Sequence, residues 1–499
     1  MSPELSKPAS DPTHVVEQAI HDVRQKIYMR SVTGLFARWR LIFVGLTQLC
    51  FYTIPWLNWN DRQAVLFDLG ARKFYIFGMV LWPQDVIYLT LLLLISALGL
   101  FLFTAIAGRL FCGYACPQTV YTEIFMWIER HTEGDRVARI RLDEAPWSLR
   151  KVRIKASKHA LWLIVAALTG FTFIGYFAPI RELSQALVGF TFGPWQWFWF
   201  LFYSFATWGN AGFLREQVCK YMCPYARFQS VMVDPDTLVV TYDSARGEPR
   251  GARSRKVDHH TQGLGDCVDC SICVQVCPTG IDIRQGLQYM CIGCGACVDA
   301  CNQVMEKVAY PQGLIRYTSE RGVLEKLSVQ QVRKHLLRPR VLIYSALMLV
   351  LVAIFVTALA TRSTLRVDVI RDRGMLGREV AGGMIENVYR LQMMNASEHS
   401  LILSLRAEGL PGLSVKFADP SVTVSRVKVD SNAKDTQGAE VPQIEIAAAS
   451  NRVLAVVLRA PHDAAQPGSH PIHFVTTSSA PDGHVSLTVR EASSFIVPQ

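Results

Sequence analysis

Residues 267–301 constrain this chain more than any other stretch, because they carry eight cysteines in two copies of one spacing. Cys267, Cys270, Cys273 and Cys277 form C-x2-C-x2-C-x3-C, followed by Pro278. Cys291, Cys294, Cys297 and Cys301 repeat the spacing, with Asn302 in place of the proline. Three closely spaced thiolates wrap three corners of one iron–sulfur cubane from a tight loop, and the fourth reaches across to a second cubane. The expected ligation is therefore crossed. Cys267, Cys270, Cys273 and Cys301 are expected on one [4Fe–4S] cluster, and Cys291, Cys294, Cys297 and Cys277 on the other. Gly293 and Gly295 allow the backbone to approach inorganic sulfide and donate N–H bonds to it. Zinc usually takes two separated C-x2-C pairs rather than triple runs. Disulfides require an oxidising compartment.

The chain has 499 residues, 50% of them hydrophobic, and the apolar ones fall in blocks. Five blocks approach the roughly 20 helical residues that cross a hydrocarbon core: 37–57, 85–107, 159–180, 193–214 and 340–361. Trp195, Trp197, Trp199 and Trp208 place part of the fourth near a membrane interface. The connection 108–158 holds Arg130, Arg136, Arg139, Arg141, Arg150, Lys151, Arg153, Lys155 and Lys158, whereas 181–192 offers Arg181 and 58–84 offers Arg62, Arg72 and Lys73. The positive-inside rule then expects the N-terminus, 108–158 and 215–339 in the cytoplasm of a bacterial inner membrane, and 362–499 in the periplasm. The same placement keeps the eight thiols in a reducing compartment. The formal net charge is +10, and Lys and Arg flank the apolar blocks, which favours a membrane over nucleic acid. The first forty residues show no apolar core of a cleavable signal peptide. No phosphate loop, Ser/His/Asp triad or nucleic-acid motif is apparent.

Seven regions follow from these boundaries: a tail (1–36), four transmembrane helices with a basic loop (37–214), a basic linker region (215–262), a ferredoxin-type domain (263–310), a connector (311–339), a fifth transmembrane helix (340–361) and a C-terminal domain (362–499). The last has short alternating runs such as TLRVDV, NVYRLQM, SLILSLRA, TVSRVKVD, VLAVVLRA and VSLTVRE, broken by Gly, Pro, Asn and Asp. That pattern predicts about seven strands in an immunoglobulin-like β-sandwich. The expected fold class is a multidomain membrane protein: an α-helical bundle of about five helices, an inserted two-cluster ferredoxin domain and an all-β sandwich.

Two further pairs stand apart from the ferredoxin block: Cys112 and Cys116 in FCGYACPQ, and Cys219 and Cys223 in EQVCKYMCPY. Residues four apart share a helix face, with Cβ atoms about 5–6 Å apart. The proline after each pair disfavours helical geometry at the preceding cysteine, so each pair is expected at a helix end. Four thiolates are thus expected to converge at the membrane interface. Soft thiolates suit Cu(I) or another iron–sulfur centre; a dithiol/disulfide couple and simple packing are the other readings. Weaker candidates are His259 and His260 as ligands in a basic linker, and Met384, Met393, Met394 and His399 as a copper surface. Methionines in a strand pattern are more often core. Cys50 is expected to pack within its helix, and the basic run 246–256 to face solvent or anionic lipid.

FCGYACPQTVYTEIFMWIER (111–130), CKYMCPYARFQSVM (219–232), YDSARGEPRG (242–251) and CIGCGACVDACNQVM (291–305) resemble the cytochrome c oxidase accessory proteins of the FixG/CcoG type, also called RdxA. The resemblance extends over nearly the whole chain, including NVYRLQMMN (387–395). It implies a membrane-bound polyferredoxin that reduces Cu(II) to Cu(I) for assembly of a cbb-type oxidase, with copper as substrate. Carried over residue by residue, the eight ferredoxin cysteines are cluster ligands, and Cys112, Cys116, Cys219 and Cys223 are the membrane pairs that handle copper or a further cluster. Implied partners are the membrane, oxidase assembly factors or copper chaperones, and a second copy of the chain as a homodimer; the electron donor is left open. Two other functions compete: a quinol-linked electron-transfer subunit, resembling the membrane ferredoxin partners of periplasmic nitrate reductase, and a non-enzymatic assembly scaffold.

Overall fold

The computed structural model describes residues 26–253, 263–371, 377–417, 423–425, 441–479 and 487–498. It divides into two compact units, one built from Met1–Asn58 and Ile87–Val356, the other from Trp59–Val86 and Thr357–Gln499.

The helices that shape the first unit are α1 (Leu35–Thr53), α2 (Val86–Ala107), α3 (Leu110–Tyr114), α4 (Pro117–Glu133), α5 (Leu149–Ile174), α6 (Pro194–Gly209), α7 (Pro224–Met232), α8 (Ala296–Lys307) and α9 (Pro339–Ala360). The stretches Pro83–Ala107, Leu149–Ile174 and Pro339–Ala360 are long and apolar enough to cross a membrane. α1 carries Arg38 and Arg40 in its first turns, and α6 is extended by a π-helical turn, Asn210–Leu214, that the sequence pattern does not announce. Leu, Phe and Trp side chains of both helices stand exposed, among them Leu41, Leu49, Trp195 and Phe205. In water such surface is unfavourable; against lipid it is the natural face. Cys50 is exposed on α1 rather than packed within the bundle.

Around the eight cysteines, the flanking chain closes in. Val239–Tyr242 pairs antiparallel with Ile315–Thr318, and Val240, Tyr242 and Ile315 share a buried core with Cys267, Cys273 and Met305. Residues 243–253, expected as linker, are ordered here. Ser244–Gly247 forms a helical turn, and Arg246 Nε donates to the Asp266 carboxylate at 2.5 Å. An arginine that spends its charge on a buried carboxylate is no longer a solvated linker residue.

The second unit is a sandwich of two five-stranded sheets. One runs Ser414–Phe417, Asn451–Pro461, Met384–Asn395, Leu365–Arg371, with Arg378–Val380 also paired to Met384–Asn395; the other runs Thr423–Ser425, Val441–Ile446, Leu401–Glu408, Gly468–Ser479, Thr488–Val497. Among the described residues ten strands replace the expected seven, because Arg378–Val380 and Ser414–Phe417 are only three and four residues long and Gly468–Ser479 lacks a clean apolar alternation. Alternation is clear where the pattern was read: Leu454, Val456, Leu458 and Ala460 all point inward, as the two-residue period of a strand requires. Residues 426–430 of TVSRVKVD lie outside the described residues.

A small sheet, Val65–Asp68, Lys73–Ile76 and Met79–Leu81, belongs to this same unit although it sits far earlier in the chain. Val80 and Trp82 pack on Met394 and Ala396. Arg62 pairs with Glu398 at 3.1 Å, and Arg362 with Asp85 at 2.7 Å. Met393 and Met394 are thus core residues, buried to 0% and 1% exposure, and do not present a copper surface.

Candidate metal and electron-transfer site

The two cysteine loops are built alike. In the first, Asp269 and Ser271 hold positive φ of 51° and 54°; in the second, Gly293 and Gly295 hold 64° and 71° at the equivalent steps. A left-handed residue on either side of the middle cysteine turns the thiols to one side. Glycine is required only in the second loop, where a Cβ on Gly295 would stand 2.6 Å from the Phe36 ring. There the loop is pressed against the start of α1. The Asp299 carboxylate on α8 accepts the N–H of Ala37 at 2.8 Å and of Phe36 at 3.3 Å, which caps the α1 N-terminus with a negative charge.

The sulfurs gather around two cavities. Cys267, Cys270, Cys273 and Cys301 line one; Cys277, Cys291, Cys294 and Cys297 line the other, with Cys273 between them. Among the described residues, no three His, Cys, Asp or Glu side chains converge on a point that could hold a single metal ion. The thiols surround a space instead, which is what a four-iron cubane needs and a zinc ion does not. Burial pushes the Cys291 and Cys301 thiols up to about 12, with neighbouring cysteines adding to the rise at both. Four thiolates this enclosed are costly unless a cationic iron core compensates them. The residues fit two [4Fe–4S] clusters on this ground, with Cys301 and Cys277 exchanged between loops. Cys277→Ala is expected to remove one cluster's EPR signal and roughly half of the bound iron, the other signal surviving; loss from the cavity of Cys267 would refute the exchange.

The two membrane pairs differ from the expected single helical face. Cys112 lies inside the short helix α3, whereas Cys116 is the extended residue that starts α4. Cys219 lies in a π-helical turn, Val218–Met222, and Cys223 starts α7. The proline acts on both pairs as expected, but as the first residue of a new helix, where its missing N–H costs nothing. Each pair therefore straddles a break. The four thiols share one neighbourhood without converging on a single-ion point: the Cys112 thiol is pushed up to about 12, first by burial, with Arg109 opposing and Cys116, Cys219 and Cys223 reinforcing. Cys112 Sγ donates to Gln229 Oε1 at 3.3 Å, and Arg109 Nε donates to the same oxygen at 3.0 Å.

Glu129 on α4, 1% exposed, holds the two motifs together. It accepts from Arg139 at 2.9 Å and from Arg215 at 2.5 Å. Arg215 lies four residues before Cys219 of the second pair, and α4 begins at the first. Gly113, between Cys112 and Cys116, links them to the ferredoxin block. A Cβ there would lie 2.8 Å from Ile292 O and 3.0 Å from Cys294 Cα. α3 rests directly on the CIGCG loop, backbone on backbone. Cys112, Val276, Ile292 and Cys294 share one buried cluster, and Tyr114 Oη donates to Cys294 O at 3.3 Å. Sequence spacing found the twelve thiols; Arg109, Gly113, Glu129 and Gln229 act across long sequence separations and left no local signal. His259 and His260 lie outside the described residues.

Residues 214–320 match a family described as a 4Fe-4S dicluster domain, 89–133 a 4Fe-4S binding domain, and 355–498 the IG-like fold at the C-terminal of FixG. Nitrogen fixation protein FixG of Rhizobium meliloti is 37% identical over 434 residues, spanning 81% of this chain and 83% of that protein. Protein RdxA of Cereibacter sphaeroides is 38% identical, spanning 80% of this chain and 85% of its own. The chain belongs to the FixG/RdxA family. Ferredoxin-type protein NapH of Haemophilus influenzae is 24% identical over 43% of this chain. The FixG/RdxA likeness thus extends into the sandwich, and the chain is an iron–sulfur electron-transfer protein of that family, carried on apolar helices.

Proposed function

We propose that this FixG/RdxA-family protein reduces Cu(II) to Cu(I) at the four thiols Cys112, Cys116, Cys219 and Cys223, and so supplies cuprous ion for assembly of a cbb-type oxidase. The observation that carries the reading is the contact of α3 with the CIGCG loop, which puts Cys112 and Cys294 in one packed cluster. The clusters, when bound, supply single electrons at potentials that reach well below zero. The protein's own part is to hold soft sulfur ligands, which favour Cu(I) over Cu(II), beside the 291–295 loop. Arg109 beside Cys112 partly offsets the burial that pushes this thiol up.

Parity supports a topology in this reading. Residues 59–86 and 357–499 form one unit, which favours an even number of crossings between them. Pro83–Ala107, Leu149–Ile174 and Pro339–Ala360 supply three; α6 with its π-helical extension supplies the fourth. With α1 as a fifth, the N-terminus and ferredoxin block lie in the cytoplasm and the sandwich in the periplasm of an inner membrane, in agreement with the Lys and Arg bias.

Dithionite-reduced, anaerobically purified protein is expected to convert Cu(II) to Cu(I), read with a Cu(I)-specific chelator. Reduced protein that leaves Cu(II) unchanged would end the proposal. One observation favours a second reading. The 4Fe-4S binding domain matched at 89–133 contains Cys112 and Cys116, which suits a third cluster on the four thiols. Iron content well above about eight atoms per chain, falling when those thiols are replaced, would select it.

A further inference from the structure

A cavity of about 430 Å³ opens beside Cys116, between α1, α4, α5 and α6. Its volume lies in the range of small-molecule sites. Its walls are mainly apolar and aromatic, with Phe51, Phe173 and Tyr203 around it and Ala115 and Pro117, the two neighbours of Cys116, forming one side. Polar side chains interrupt this lining, Gln48 and Tyr121 among them. Tyr121 is within hydrogen-bonding reach of Gln48, Tyr52 and Thr169, and Tyr52 Oη lies 2.9 Å from Thr169 Oγ1. Gln48 Oε1 is buried and has no hydrogen-bond partner among the described residues. A buried amide oxygen left unpaired costs about 1–3 kcal/mol, so it is better explained by a ligand that donates to it. Gln48 lies more than halfway along α1, roughly 20 Å from its start at the helical rise. A ligand at that depth arrives through the bilayer.

We infer that this cavity binds a membrane quinol, which is the electron donor to the thiol site. The chemistry is specific on three counts. A flat ring fits between aromatic walls. A ring hydroxyl satisfies Gln48 Oε1, which an acyl chain cannot do. Copper is excluded because the lining contains no cysteine, histidine or carboxylate. On oxidation, each quinol breaks two O–H bonds and becomes the quinone; two protons pass to water, and two electrons leave one at a time, converting two Cu(II) to two Cu(I). Adjacency to Cys116 through Ala115 and Pro117 makes the transfer short. The inference rests on the electron-transfer reading, and not on the identity of the final acceptor.

The test uses the full-length holoprotein in lipid nanodiscs. A photoreactive azidoquinone is expected to label peptides containing Gln48 and Tyr121, and short-chain ubiquinol to compete with it. Short-chain ubiquinol is also expected to drive Cu(II) reduction without dithionite, above a protein-free control. In a Gln48→Leu, Tyr121→Phe double variant, labelling is expected to vanish and the ratio of quinol-driven to dithionite-driven Cu(II) reduction to fall about tenfold. Labelling elsewhere, an unchanged ratio, or copurified lipid that quinone does not displace would overturn the inference. Labelling in the cavity that ubiquinol displaces, with Cu(II) untouched by either donor, would uphold the cavity and sink the copper reading instead.

Discussion

Replacing Cys112, Cys116, Cys219 and Cys223 together with alanine is expected to cut Cu(II) reduction at least about 100-fold, since loss of a mere supporting group around a metal already costs about 10–100-fold. The ferredoxin block should be untouched. Its eight cysteines line cavities to which none of the four contributes, so iron and sulfide content should match the parent and dithionite should still bleach the clusters. That pairing of results separates loss of the acceptor site from collapse of the protein. Pairwise variants sharpen it: Cys112 lies against the Cys294 loop, so Cys112→Ala should impair turnover more than Cys223→Ala. A quadruple variant with parental copper turnover would remove these thiols from the reaction.

The second large effect is expected at Gly113. A valine there places methyl groups where Ile292 O and the Cys294 backbone already stand, 2.8–3.0 Å from the Cβ position alone. Those atoms belong to the loop backbone and cannot swing aside as a side chain could, so α3 must lift from the loop. Displacement of about 1 Å in a reacting geometry can lower a rate about 100-fold, and that is the expected loss in Cu(II) reduction with dithionite as donor. Gly113→Ala should fall between valine and parent. Iron content distinguishes the outcomes: full iron with slow copper reduction supports the contact as the conducting junction, whereas unimpaired turnover in the valine variant would refute it.

What the sequence disclosed and what it hid divide along a physical line. Cluster ligation is local, because three thiols must reach one cubane from a few residues of loop, and so the spacing of Cys267 to Cys277 and Cys291 to Cys301 was enough. The apolar blocks and the alternation in Asn451–Pro461 were equally local. Gly113 was unreadable because its reason lies in Ile292, far along the chain. Glu129 looked like an ordinary helical carboxylate; its partner Arg215 comes from the turn that follows Asn210–Leu214. The membrane pairs were misjudged as one-faced helical pairs because a proline that ends a helix and one that begins the next look alike in sequence. Residues 59–86 read as a connection between helices, and only Trp82 and Val80 against Met394 reveal what they are for.

That last feature bears on how the protein is made. The ribosome releases residues 59–86 well before Arg362, Met394 and Glu398, which satisfy Asp85, Trp82 and Arg62. Until those partners follow, the early strands are expected to stand with apolar and charged groups bare, a condition that invites aggregation. A chain cut short before residue 362 is expected to leave them so permanently.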